Sequence, residues 1–421
     1  MIILNQKSEI SNQKSEITYR RYALALLLAV NLLNYIDRQV LYAVFPLVKA
    51  DFGISDTALG LLGSAFMLSY MVSAPLLGWL GDRGNRTGLA AAGLAGWSLA
   101  TMGAGWAGSY RLLLAARSLV GIGEASFGTV SPGLLADYFP RERRGQVLAW
   151  FYLAIPVGSA LGYLAGGLLG HRFGWHAAFL MVGLPGLLLV VPLLLLREPL
   201  RSGPDSSGKA GAKPNQAYGD LFRNRSFILN TLAMAAMTFA LGGLAQWLPS
   251  FLDRVHGLDV ARGNTLFGGI TVVAGITGTL AGGWLGDRCQ KKSGRGYLLV
   301  SGFGFLLGAP IACYALLSPG VTGCLAAVFC AEFFLFFNTG PLNTVIVNVT
   351  RPTVRAMAFA VNIFFIHALG DAISPTIIGW LSDAWGLTNA LLVTPAAVVV
   401  AAVFCFLCGR YVEEDSARVE E

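Results

Sequence analysis

Long apolar runs alternate along the chain with short polar or glycine-rich breaks. Twelve such runs fall at approximately 22–48, 57–80, 87–107, 110–136, 145–170, 175–196, 227–251, 264–285, 296–317, 321–349, 356–381 and 388–409. Each is close to or above the roughly 20 residues that a helix needs to cross about 30 Å of hydrocarbon. The runs lack the alternation of barrel strands, and backbone groups in lipid must be satisfied within their own segment, so the pattern predicts helices. The first run follows Arg20 and Arg21, as the core of a signal peptide would. It continues past Asp37 to Pro46 with no small-residue cleavage pattern, and so reads as a spanning helix. The fold class expected is an all-α membrane protein with twelve transmembrane helices.

The polar stretches divide the chain. Residues 1–21, which carry NQKSEI at 5–10 and again at 12–17, predict a disordered N-terminal tail. Residues 198–225, rich in Gly, Ser, Pro and Lys, predict a flexible linker between two six-helix halves, 22–197 and 226–410, with a C-terminal tail at 411–421. The halves correspond in sequence. GWLGDRGNR at 78–86 is nearly repeated as GWLGDRCQK at 283–291. DYFPRERRGQVLA (137–149) occupies the place of NVTRPTVRAMAFA (348–360), and GGLLGHRFGW (166–175) that of IGWLSDAWGL (378–387). Two six-helix halves in the same order predict parallel repeats around a substrate site near the bilayer midplane.

Composition agrees with the bilayer assignment: 55% hydrophobic and 13% charged residues leave too little polar surface for a water-soluble fold of 421 residues. Of the 30 Lys and Arg, 23 fall on the side holding the termini and alternate loops, five (Lys49, Arg111, Arg172, Arg254 and Arg262) on the opposite side, and two within helices. Basic loops face the cytoplasm, so both termini and the linker are expected inside, in the cell (inner) membrane. The net charge of +7 then reports topology rather than a nucleic-acid surface. NRT at 85, NRS at 224 and NVT at 348 fall on the cytoplasmic side, where no glycan is added. All six cysteines lie in the second half, mostly inside apolar runs, and read as packing residues without a disulfide framework. No nucleotide loop, HExxH or metal-ligand spacing is present in the sequence, so neither an enzyme nor a cofactor is expected.

The duplicated cluster resembles the cytoplasmic loop motif of the major facilitator superfamily, on Gly78, Asp82, Arg83 and Arg86 and on Gly283, Asp287, Arg288 and Lys291. The motif's second glycine is replaced here by Asn85 and Gln290. The resemblance implies a gating role, in which these loops hold the outward-open state through charge contacts at helix ends. A carboxylate at a helix N-terminus gains about 0.3 to 2 kcal/mol, a contact weak enough to break in each cycle. Four first-half stretches, NLLNYIDRQVLYAVFP (31–46), SYMVSAPLLGWLGDRGNR (69–86), RSLVGIGEAS (117–126) and FYLAIPVGSALGYLAGG (151–167), resemble the spinster homologues. So does the REP at Arg197 to Pro199, whereas the second half resembles the superfamily alone. That resemblance implies lysophospholipids or sphingoid phosphates as substrates.

The residues point to a site without any family. Asp37 and Arg38 lie within the first run, and Arg117 and Glu124 within the fourth, where each charge costs about 2.5 to 3.5 kcal/mol and tends to face a cavity. Asp37 and Arg38 project about 100° apart around a helix, so each needs a partner on another helix. Arg117 and Glu124 share a face two turns apart. Asp37 and Glu124 are the expected proton sites, because burial opposes and a neighbouring arginine favours carboxyl ionisation, which lets conformation load and unload a proton. Arg38 and Arg117 are the expected anion partners. The competing reading is a buried ion network that only fixes packing. Glu332, His367 and Asp371 are the second-half counterparts; His367 reads either as a headgroup ligand or pH-sensitive element, or as a satisfied interhelix contact. Asn338 and Asn343 read as cavity lining or as polar glue.

The expectation is a monomeric, proton-coupled secondary transporter of amphipathic anionic lipids. Its partners are the lipid, protons and membrane lipids, with no nucleic acid. An organic-anion/cation symporter is the alternative within the superfamily, and a non-transporting receptor or scaffold the alternative outside it.

Overall fold

In the computed structural model, which describes residues 2–199, 221–351 and 354–420, the regular elements are helices throughout. The first half contains α1 (Ile2–Ala43), α2 (Phe45–Phe52), α3 (Asp56–Arg83), α4 (Arg86–Gly105), α5 (Tyr110–Tyr138) and α6 (Arg141–Leu194). The second contains α7 (Arg225–His256), α8 (Val260–Gln290), α9 (Gly296–Leu317), α10 (Val321–Leu335), α11 (Pro341–Asn348), α12 (Arg355–Ile366), α13 (Ser374–Trp385), α14 (Leu387–Leu391), α15 (Val393–Cys408) and α16 (Val412–Glu420).

Ten helical segments among the described residues are long and apolar enough to cross a membrane. The 54-residue α6 is two helices, because Gly174 at φ 82° and ψ 160° breaks it in the middle. The twenty-residue α4 completes the set of twelve; glycines at 88, 93, 96, 103 and 105 dilute its hydropathy. The expected runs at 321–349 and 356–381 are each interrupted. A 3-10 turn at Phe336–Asn338 precedes Gly340 and Pro341, and a π-turn at His367–Asp371 carries non-helical Gly370. Proline removes a backbone donor and π-turns insert a residue, so both leave backbone carbonyls without helical partners.

The backbone also carries the duplication. Four of the described glycines have positive φ, a region that costs glycine little and other residues much. They form two matched pairs. Gly174 (φ 82°) repeats as Gly386 (φ 81°), and Gly53 (φ 59°), which ends α2, repeats as Gly257 (φ 65°), which ends α7.

Both terminal segments are helical. α1 is helical from Ile2, so the tail continues the first spanning helix; its sequence lacks glycine and proline, and Glu16 pairs with Arg20 one turn on at 3.4 Å. The C-terminal tail forms α16, whose Asp415 accepts hydrogen bonds from the Ser226 N–H at 3.0 Å and hydroxyl at 2.7 Å, capping α7 from outside the helix. Residues 200–220 of the linker lie outside the described residues. Its flanks are tied down: Glu198 accepts from Arg86 and from the Thr87 N–H, and Asn224 caps α7.

Within the first half α1 packs on α6, and α4 and α5 pack on each other and on α6 and α3. In the second, α7 and α9 pack on α15, and α10 on α8 and α9. The halves meet along two seams, α3 with α13 and α6 with α8, and α1 touches α7 between them. At the α3/α13 seam the backbones nearly touch. A Cβ on Gly60 would lie 2.2 Å from the Pro375 carbonyl oxygen, and one on Gly379 2.2 Å from that of Asp56.

Candidate substrate site and gates

α1 and α5 bring the four intramembrane charges together in crossed pairs. Arg38 Nε donates to Glu124 Oε2 at 2.6 Å, and Arg117 Nη1 lies 3.6 Å from Asp37 Oδ1. Adjacent residues on α1 thus find separate partners seven positions apart on α5, as the helical geometry requires. Thr101 of α4 donates a short hydrogen bond to Asp37 Oδ2. Phe66 of α3 stands between the pairs, with both guanidinium carbons 5.1 Å from its ring centre. Tyr35 and Tyr70 complete an aromatic surround for Arg38 at 4.9 and 5.2 Å. Cation–π contact offsets part of the desolvation of each arginine.

The cluster is incompletely satisfied. Arg117 is fully buried, and its Nε, Nη1 and Nη2 have no hydrogen-bond partner; Asp37 Oδ1 and Glu124 Oε1 also lack one. A distance of 3.6 Å is too long for a hydrogen bond, so the forked donor set of Arg117 is unspent. Buried ion pairs contribute little to stability unless every donor is used, which weighs against a purely structural role.

In the second half, His367 Nδ1 lies 2.9 Å from Asp371 Oδ1 across the π-turn. Glu332 is buried and accepts from the Thr271 hydroxyl at 3.1 Å. Asn338 and Asn343 donate to carbonyls of their own segment, those of Leu335 and Thr339. Asn338 lies in the 3-10 turn and Asn343 in the first turn of α11, so each amide is engaged by the chain beside the interruption.

At the face that holds the termini, the duplicated motif makes contacts within each half. Arg83 stacks on Trp79 at 4.2 Å, and Arg288 on Trp284 at 5.4 Å. Arg86 binds Asp137 at 2.6 Å and Glu198 at 2.7 Å, and Asp287 accepts from the Tyr297 hydroxyl at 2.8 Å. A Cβ on Gly78 would reach Thr129 at 3.9 Å, whereas Gly283 has open space around it.

The opposite face holds a latch that the sequence reading missed. Asp56, near the start of α3, takes Arg254 of α7 at 2.8 and 2.9 Å, the Ser382 hydroxyl of α13 at 2.5 Å and Lys49 of α2 at 2.5 Å. Asp383 of α13 returns the contact, accepting from the N–H groups of Asp56 (2.8 Å) and Thr57 (2.9 Å) and from the Thr57 hydroxyl (2.6 Å). A carboxylate from one half therefore caps a helix N-terminus of the other. Nearer the middle, Thr376 donates to Ser64 at 2.7 Å, and Asn264 to the Ala43 carbonyl at 3.1 Å. Tyr163 donates to the Ala245 carbonyl at 2.6 Å. That carbonyl lacks a helical donor because the residue four positions on is Pro249. Ser55 caps the start of α3, but the cross-half partners of Asp56 lie about two to three hundred residues away, and in the sequence Lys49 and Arg254 registered only as topology charges.

A family model described as Major Facilitator Superfamily matches residues 27–375. Protein spinster homolog 1 of Xenopus tropicalis is 34% identical over an alignment covering 94% of this chain and 81% of that protein. The chain belongs to the spinster branch of the major facilitator superfamily. The mouse sphingosine-1-phosphate transporter SPNS2 is 33% identical over 94% of this spinster chain and 78% of its own length. The Drosophila protein spinster is 36% identical, and there the match spans 62% of the longer fly protein. Among solved structures, a bacterial homolog to the human lysosomal transporter Spinster, in an inward-facing and unoccupied conformation, superposes with a TM-score of 0.86 at 26% identity, covering 94% of this chain and 98% of that one. A D-xylose-proton symporter shares the fold, with a TM-score of 0.73 at 17% identity. This spinster chain is thus a multi-pass membrane protein of a transporter family and not an enzyme.

Proposed function

We propose that the protein moves an amphipathic anionic lipid, a lysophospholipid or a sphingoid phosphate, by alternating access coupled to protons. The observation that carries this reading is the fully buried Arg117 guanidinium, ion-paired to Asp37 yet with none of its three nitrogens hydrogen-bonded. A phosphate or carboxylate headgroup suits its forked donors. Asp37 and Glu124 compete with that headgroup for Arg117 and Arg38, so protonating either carboxyl releases an arginine for substrate. Sphingosine-1-phosphate transport, the activity for which the mouse relative is named, supports the lipid class. His367, Asn338 and Asn343 serve the same site from the second half, and the protein acts as a monomer in the cell (inner) membrane. The decisive experiment reconstitutes the protein in liposomes and offers lysophospholipids, sphingoid phosphates and small organic anions under a pH gradient. Gradient-dependent accumulation of the amphipathic anions is expected; uptake of the small anions alone overturns the lipid assignment.

The topology reading puts both termini in the cytoplasm. In a cysteine-free background, cysteines at Ser293, on the termini face, and Ser109, on the other, should label from opposite sides of the membrane. Ser109 reacting from the cytoplasmic side reverses the assignment. With the termini inside, the Asp56 latch closes the external face, which agrees with the likeness to the bacterial homolog in its inward-facing conformation. The motif loops at Asp82 and Asp287 then take up their contacts across the halves in the opposite, outward-open state.

A further inference from the structure

The second half holds a carboxylate that the four-charge cluster does not use. Asp371 sits at the break between α12 and α13, where the backbone makes a π-turn and Gly370 leaves helical geometry at φ −106° and ψ −108°. Its one ion-pair partner among the described residues is His367, which is charged only when protonated. The helices packed around the turn bring no charge to this depth: the charged residues of α3, α7, α12 and α13 lie toward their ends. Tyr42 of α1 stands within electrostatic reach of Asp371 and also of Arg117, Arg38 and Glu124, so the four-charge cluster lies on the far side of this tyrosine.

Oxygen atoms collect around this carboxylate. The Ser374 hydroxyl is fully buried and has no hydrogen-bond partner. A Cβ on Gly242 of α7 would lie 2.5 Å from Asp371 Cβ and 3.4 Å from Ser374 Oγ, so both side chains sit over the same point of α7. One turn back, Thr238 packs on Gly370, and a Cβ there would meet Thr238 Cβ at 2.8 Å. The Thr238 hydroxyl donates its proton to the Met234 carbonyl, which leaves its lone pairs available. At the π-turn the Ala372 N–H donates to the His367 carbonyl and the Ile373 N–H to that of Gly370, which diverts the i+4 donors of the Ala368 and Leu369 carbonyls, and the C-terminal end of α12 carries partial negative charge.

We propose that the α12–α13 break is a sodium-binding site, formed by Asp371, Ser374, Thr238 and carbonyls of the turn. One carboxylate among neutral oxygens matches a hard monovalent cation in charge and donor type. No group of three or more His, Cys, Asp or Glu capable of holding a multivalent metal occurs among the described residues. Interrupted membrane helices supply such oxygens because their backbone is not consumed by the helix. The site does not depend on the lipid assignment, and its test reads cation binding without transport.

The test is the thermal melt of the full-length protein in detergent, in sodium chloride and in choline chloride at equal ionic strength. Sodium should raise the midpoint by a few degrees, saturably, since a ligand of the native state stabilises it. Asp371→Asn and Ser374→Ala should each abolish or strongly reduce that rise, and Ser374→Ala carries the test if Asp371→Asn does not fold. Equal midpoints in the two salts for the unaltered protein overturn the proposal, as does an unchanged sodium response in Ser374→Ala.

Discussion

Asp56→Ala is expected to open the face opposite the termini. The carboxylate is buried and serves two cations and a hydroxyl from the other side of the seam or the neighbouring turn. Removing one partner of a buried charge network costs about 3 to 5 kcal/mol. Solvent at Lys49 and Arg254 holds the loss near the low end of that range. A bias of about 3 kcal/mol still changes the ratio of conformers more than a hundredfold. Spin labels at Ser109 and Gly320, one on each half at this face, should move from a short to a long distance distribution. An unchanged distribution in a well-folded Asp56→Ala protein would show that the latch is incidental to closure. Asp383→Asn should act in the same direction and more weakly, since the amide can still accept from the α3 N-terminus.

Asp37→Asn and Glu124→Gln are expected to keep lipid binding and lose accumulation driven by a pH gradient, because shape is nearly conserved while titration is abolished. Arg117→Lys should weaken binding about tenfold or more at unchanged charge: an ammonium cannot reproduce the fork, and a charged hydrogen bond contributes about 1.5 to 3 kcal/mol. A packing network makes the opposite forecast. All three variants would then melt earlier, and the survivors would transport with the original pH dependence. Melts alongside proteoliposome uptake at several pH values separate the cases. Wild-type pH dependence in folded Asp37→Asn and Glu124→Gln proteins ends the proton-site assignment.

The spans, the two-half duplication and the charges of α1 and α5 were legible because each is local. Apolar length sets a helix, a repeat is visible by inspection, and a charge in an apolar run stands out. Even the pairing logic followed, since Asp37 and Arg38 project in different directions and required separate partners. The interruptions were less legible. The 321–349 run reads as continuous despite Pro341, and the π-turn at His367–Asp371 depends on how Gly370 packs against Thr238, which no periodicity encodes. The Asp56 latch was beyond reach for a different reason. Asp56 and Asp383 each sit beside an ordinary helix end, and only the crossing of α3 over α13 makes either one a gate residue.

The Tyr163 to Ala245 hydrogen bond shows how water takes part in the cycle. Because Pro249 withholds a donor in every conformation, the Ala245 carbonyl carries a permanent debt of one hydrogen bond. When the halves close on each other the Tyr163 hydroxyl settles it; when they part, solvent in the opened cleft must do so. The seam therefore cannot part dry without stranding a buried acceptor, at a penalty of about 1 to 3 kcal/mol. Separation of the halves and wetting of the gap are thereby tied into one event, and a lipid tail that enters first and keeps the cleft apolar makes that event harder.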